Sequence, residues 1–242
     1  MKVANVIHKE RGHVMCRLIK EASFDEWLTY LFDRPECEYG GHWSFGRPDD
    51  EPVWDAPREV SAEFIARTYE DPKFWMGRFT NAQIAAGLEY TWNPSYSDVG
   101  FAIRDEPTPM PLRLRAVRAL VPLYQNCFQS RCDAGLSHLS ERLDNPMNGA
   151  CYMYWDVSPF VAQPEKPEPR LVDQECLKVM EVTLQIDHDA CRESALHGLG
   201  HWQSDYPARV ASLIEQGLKH KGAHLRPELL RYAAAAVRGD VQ

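Results

Sequence analysis

The chain has 242 residues, of which 44% are hydrophobic, 11% aromatic and 26% charged, and its net charge is −8. That length can bury a substantial core in one domain or two close-packed ones, and the aromatic content excludes a disordered chain. No apolar run approaches the ~20 residues that cross a bilayer, and charged residues stand where a secretory leader would be apolar, so a cytoplasmic protein with no membrane role is expected.

Helical signals recur along the chain and strand alternation does not, so an all-α fold is expected. Ser23 and Glu26 form a capping box ahead of Trp27, Leu28, Leu31 and Phe32. Residues 34–58, rich in Gly, Pro and Asp, read as a long loop. A second helix carries Phe64, Ile65, Thr68 and Tyr69 and stops at Asp71-Pro72, where the proline can open the next helix. Ile84, Leu88 and Trp92 mark another by their i, i+4, i+8 spacing. From about Pro111 to Phe128, Leu114, Val117, Val121, Tyr124 and Phe128 share one face, with Pro122 set to kink or split the helix. Met147–Val157 is apolar enough for a buried helix or a strand, and periodicity does not separate them. Residues 159–169 hold four prolines and read as a connector. Helices are then expected over 173–186, 189–203, 207–219 and 227–238. Short breaks between them predict stacked αα-hairpins of HEAT-like, α-solenoid type in the C-terminal third, within an otherwise irregular helical bundle. The expected organisation is a helical region 1–158 and a hairpin region 170–242, packed as one unit.

The seven cysteines form no CxxC pair and several lie in apolar stretches, so they read as reduced core residues. Metal or catalytic chemistry is best sought in CRESALHGLGHW. Cys191, Ala195, Leu199 and Trp202 fall on one stripe, the expected core face, and Gly198 beside it leaves room for another helix. Glu193, His197 and His201 fall at i, i+4 and i+8 on the opposite side, so they are expected away from the core. There they are either packing residues or a metal set at the heart of an unrecognised enzyme. In Asp187-His188-Asp189, Asp189 is expected to cap the helix that follows and His188 the end of the one before. No GxSxG, Walker or Rossmann fingerprint is present, and no cofactor is expected.

The loop from Gly40 to Pro57 interleaves Trp43, Phe45 and Trp54 with Asp49, Asp50, Glu51 and Asp55. Aromatics beside charges in a long loop suit a binding surface; the alternative is that the tryptophans tuck back as local anchors. Residues 20–110 hold 18 acidic and 8 basic side chains, a net of −10 that leaves the remainder at +2. A field of that sign repels nucleic acid and steers a basic protein partner.

The segments NPMNGACYMYWD (Asn145–Asp156), CRESALHGLGHW, ARVASLIEQGL and RPELLRYAAAA resemble a group of largely uncharacterised bacterial all-helical proteins. The likeness covers roughly residues 140–242, with a looser echo in PKFWMGRFTNAQIAAGLEY. It implies HEAT-like C-terminal packing and carries no activity. In size and acidity the chain is also similar, in style, to cytoplasmic immunity proteins that neutralise bacterial toxins. The expected function is therefore a non-enzymatic protein-binding module, an immunity or adaptor protein whose partner is basic, such as a toxin domain.

Overall fold

A computed structural model describes residues 5–11, 14–36, 41–45, 47–48, 50–141, 144–219 and 225–241. The chain is mostly helical, but it opens with a small sheet that the sequence pattern did not announce. Strand β1 (Asn5–Arg11) runs antiparallel to β2 (Val14–Glu21). Strand β3 (Val53–Trp54) joins β2 in parallel, with Leu18 opposite Val53 and Ile19 opposite Trp54. Neither long strand alternates polar and apolar residues; their pairing comes from neighbours in space, which local periodicity does not see.

Helix α1 (Phe24–Phe32) follows, and Ser23 and Glu26 make the expected reciprocal cap. α2 (Arg58–Glu70) ends at Asp71, and Pro72 opens the short α3 (Pro72–Met76). α4 (Asn81–Trp92) buries Ile84, Leu88 and Trp92 together. The stretch around Pro122 is split as expected, into α5 (Met110–Arg118), α6 (Leu120–Leu123), a π-helical turn (Tyr124–Phe128) and α7 (Gln129–Arg131). Pro122 has no N–H to give to the carbonyl four residues back, at Arg118, and α5 ends at that residue.

Residues 146–157 are helical. In α8 (Pro146–Val157), the Asn145 side chain accepts from the Met147 amide and Pro146 occupies the first turn. The proline-marked connector is shorter than expected, because Pro167 opens α9 (Pro167–Leu184) rather than preceding it. α10 (Asp189–His201), α11 (Pro207–Leu218) and α12 (Pro227–Arg238) complete the chain close to their expected bounds. α9 packs on α10 and α11 on α12, and the pairs meet through α9–α11 and α10–α12. α10 also packs on α8, which in turn packs on α4, so one continuous apolar core reaches from α1 to α12. Among the described residues no helix is long and apolar enough to cross a membrane.

The enclosure of α10 overturns one expectation. Cys191, Ala195, Leu199 and Trp202 are core residues, but every residue from Ala190 to Gly200 is buried with them. Glu193 is 0% and His197 2% exposed, where a stripe away from the core, lining solvent or a groove, is expected from the sequence. The amphipathic reading assumes that one helix face meets water; here α8, α9 and α12 cover the helix on several sides. Gly198 makes the closest approach possible, since a Cβ there would stand 2.6 Å from Trp155.

Capping at the start of α10 also differs from expectation. His188 holds the cap position without a side-chain cap bond, and Asp189 is the first helical residue. Asp187 and Asp189 instead grip the buried Arg192 guanidinium at 2.6 and 3.4 Å. The His188 Nε2 donates to the Cys132 carbonyl at 3.1 Å, so it ties α10 to the segment after α7 rather than ending α9. Cys127, Cys132, Cys151, Cys176 and Cys191 are free and buried, as expected of reduced core thiols; Cys37 lies outside the described residues.

Candidate functional site

The loop between α1 and α2 does not present its tryptophans to solvent. Trp43 is 7% and Trp54 6% exposed. Trp54 stands 4.7 Å from Trp27, and its Nε1 donates to Ser61 Oγ at 3.0 Å. Trp43 stacks on Tyr90 at 4.8 Å and lies under the Arg34 guanidinium at 4.2 Å. Glu51 pairs with that same Arg34, which takes it off the open surface. Phe45 alone of the three rings is exposed, resting its edge on Tyr96. Asp50 is exposed, Asp55 lies 3.8 Å from Lys20, and Asp49 lies outside the described residues. Both tryptophans are therefore internal anchors, and the surface reading is corrected for Trp43, Trp54 and Glu51. The unanticipated member is His42, which stacks on Tyr96 at 3.7 Å and donates from Nε2 to the Ala86 carbonyl at 2.8 Å. Burial lowers its pKa and keeps it neutral.

Folding the tryptophans inward opens a different surface. A groove of about 380 Å³ runs between β2 and α1, floored by Ile19, Ala22, Tyr30 and Trp54 and rimmed by Asp25 and Glu26. A second hollow, of about 510 Å³, lies on the other side of β3 and includes Arg47 and Arg58. Both arginines are already engaged, Arg47 with the Tyr30 hydroxyl and Arg58 with the Phe101 carbonyl.

The chemistry-bearing residues of α10 separate into two groups. The Glu193 carboxylate accepts from the Ser137 and His138 amides, each at 2.9 Å, and meets His138 Nδ1 at 2.6 Å. It thus fastens the 3-10 turn Ser137–Leu139 to the helix and does not face His201. His197 Nδ1 meets the Tyr232 hydroxyl at 2.6 Å, and that hydroxyl lies 3.1 Å from Tyr152 Oη. His138 stacks on the Tyr232 ring at 4.0 Å, so both groups share one wall. On the other side of the imidazole, His197 Nε2 lies 3.2 Å from His201 Nε2. His201 Nε2 in turn lies 3.4 Å from an Asp156 oxygen on α8. The ligand-type atoms of Asp156, His197 and His201 all fall within 4.8 Å of one another. Burial, then the neighbouring His201, depress the His197 pKa to about 3, so its ring is neutral near pH 7. Burial and the Tyr152 hydrogen bond push the Tyr232 phenol far up, so it stays protonated.

Asp156 therefore replaces Glu193 in the set that can converge on one point. Its spacing from Tyr152, i to i+4 on α8, is visible in the sequence, but only once residues 146–157 are known to be helical. His138 lies in a short turn without periodicity and had no such signal. Compared with known protein families, with curated proteins and with solved structures, the chain matches none of them.

Proposed function

We propose that this chain is a non-enzymatic protein-binding module of immunity or adaptor type, which receives a basic partner in the groove between β2 and α1. The observation that carries the reading is the pairing of an apolar floor with an acidic rim at Asp25 and Glu26. Such a groove suits an apolar side chain flanked by lysine or arginine, with charge steering the approach and desolvated rings setting the lifetime. The excess of acid over residues 20–110 supports the same polarity of partner. Nucleic acid and membrane surfaces, both anionic, are disfavoured by that field.

An immunity role implies a bacterial cytoplasmic location, which the free buried thiols favour. The HEAT-like reading of the C-terminal helices belongs to this proposal too. What supports it is the pairing of α9 with α10 and α11 with α12; the enclosure of α10 on several sides favours an irregular bundle over an open stack. Either arrangement leaves the groove, rather than a concave solenoid face, as the partner's seat.

The test is association kinetics with the product of the neighbouring gene at two ionic strengths. Binding should slow as salt rises, Asp25→Lys should lower the on-rate several-fold, and Ala22→Arg should plug the groove and abolish binding in a folded protein. A complex that ignores salt and both substitutions would contradict the reading.

A further inference from the structure

Two imidazole nitrogens and a carboxylate oxygen that meet at one point have two explanations. They either share hydrogen bonds pairwise, or they surround a common centre. Pairwise bonding accounts for the contacts singly, whereas a common centre accounts for the convergence of all three atoms within 4.8 Å of one another. Bonds of about 2.05 Å place neighbouring ligand atoms of a tetrahedral zinc site ~3.3 Å apart, whereas adjacent ligands of an octahedral site with the same bonds stand ~2.9 Å apart. The observed separations are 3.2 Å between the two Nε2 atoms and 3.4 Å from His201 Nε2 to the Asp156 oxygen. These two edges sit near the tetrahedral value, and the third, between His197 and Asp156, lies within 4.8 Å. The geometry points to Asp156, His197 and His201 as the three protein ligands of one divalent transition-metal ion of zinc type, with a fourth position open to solvent.

The surroundings are those of a prepared site. His197 and His201 lie one turn apart on a helix held by α8, α9 and α12, so their backbone spacing is set by packing. The Tyr232 hydroxyl accepts from His197 Nδ1–H when it donates to Tyr152, which leaves the Nε2 lone pair aimed at Asp156 and His201. Orientation of a ligating histidine through its other ring nitrogen is the usual device of metal sites. Stacking of His138 on Tyr232, with His138 tied to Glu193, fixes the orienting phenol in turn. Among the described residues no lysine or arginine pairs with Asp156, so none of these competes for its carboxylate. The outer side is open: the side chains of His201 and Asp156 are 36% and 37% exposed, which admits the ion and leaves its last position to water. Nitrogen and oxygen donors without thiolate suit zinc and its first-row neighbours rather than calcium or magnesium. The inference uses α8, α10 and α12 only and does not rest on the groove.

The experiment uses the full, untagged chain, stripped with a chelator and titrated with zinc chloride by calorimetry and with cobalt(II) by visible absorption. One equivalent of each is expected, with cobalt giving the intense bands of a four-coordinate site. His201→Ala and Asp156→Asn change half-exposed positions, so both should keep the wild-type circular dichroism while losing at least ~100-fold in zinc affinity. Tyr232→Phe should weaken binding about 10–100-fold, as loss of an orienting partner does. Failure to take up zinc at micromolar concentration would overturn the assignment, as would uptake left undiminished in both folded ligand variants.

Discussion

The loop region around α1 and the helix α10 are both buried, but they are buried by different means. Around α1 the interior is a lattice of rings: Trp27, Trp54, Tyr30, Trp43 and Tyr90 meet at 4.7–5.7 Å, with single hydrogen bonds from indole nitrogens to Thr68 and Ser61. Around α10 the interior is polar: Glu193, Ser194 and His197 are at most 2% exposed and bond to groups on other elements, and Arg192, 5% exposed, is gripped by Asp187 and Asp189. An aromatic interior draws its stability from area and loses it in proportion to volume removed. A polar interior is stable only while its bonds are complete, because each orphaned group carries its full desolvation cost. Near-isosteric substitutions should therefore separate the two regions better than truncations.

Truncation comes first because its effect is largest. Trp54→Ala should cost ~3–5 kcal/mol in urea unfolding, while Trp54→Phe, which keeps most of the ring, should cost about 1–2. Glu193→Ala strands three donors of the Ser137–His138 turn and should cost roughly 2–4 kcal/mol. The conservative Glu193→Gln should recover less than half of that, since a neutral amide accepts through one oxygen only. If Glu193→Gln proves as mild as Trp54→Phe, the contrast between the regions fails. Gly198→Ala drives a methyl group into Trp155, at the root of its side chain, and should cost on the order of 1–3 kcal/mol.

The smallest effect is the pH slope, and here Glu89 and the buried histidines oppose each other. Burial pushes the Glu89 carboxyl of α4 up to about 7 from 4.5. Between those values the folded protein holds a proton that the unfolded chain has released, so this group's contribution falls as pH rises and is lost above about 7. His197 works the other way. Its folded pKa is depressed to about 3, so the unfolded chain binds the extra proton below 6.5 and stability drops as pH falls. Buried His42 adds to that second slope. Glu89→Gln should leave stability at pH 4 unchanged and raise it at pH 8 by roughly 1–2 kcal/mol, reduced from the full shift because the carboxylate is partly exposed. A variant with no gain at pH 8 would show that Glu89 is solvated in the folded protein.

Periodicity and capping chemistry made most of the helices legible. Ser23 with Glu26, Pro72 after Asp71, and the split at Pro122 each follow from a backbone rule that acts within four residues. What stayed hidden depends on residues far apart in the chain. β1 and β2 pair without alternation, and β3 is two residues inside a loop whose composition suggested none. Trp43 and Trp54 look like surface aromatics until Tyr90 and Ser61 are brought against them. In α10 the i, i+4 spacing does bring His197 and His201 together, whereas Glu193 binds the Ser137–His138 amides, because a helical wheel does not tell which polar face another segment covers. Asp156, the residue that completes the cluster, lies 41 positions before His197 on a segment whose type the sequence left open.

Whether the polar interior around α10 closes on a metal ion is decided by anomalous diffraction. In crystals of the zinc-loaded chain, data collected at the zinc absorption edge should show one strong peak about 2.0–2.2 Å from Nε2 of His197, Nε2 of His201 and a carboxylate oxygen of Asp156. Zinc bound elsewhere, or an empty cluster with the two imidazoles still hydrogen-bonded to each other, would contradict the metal assignment.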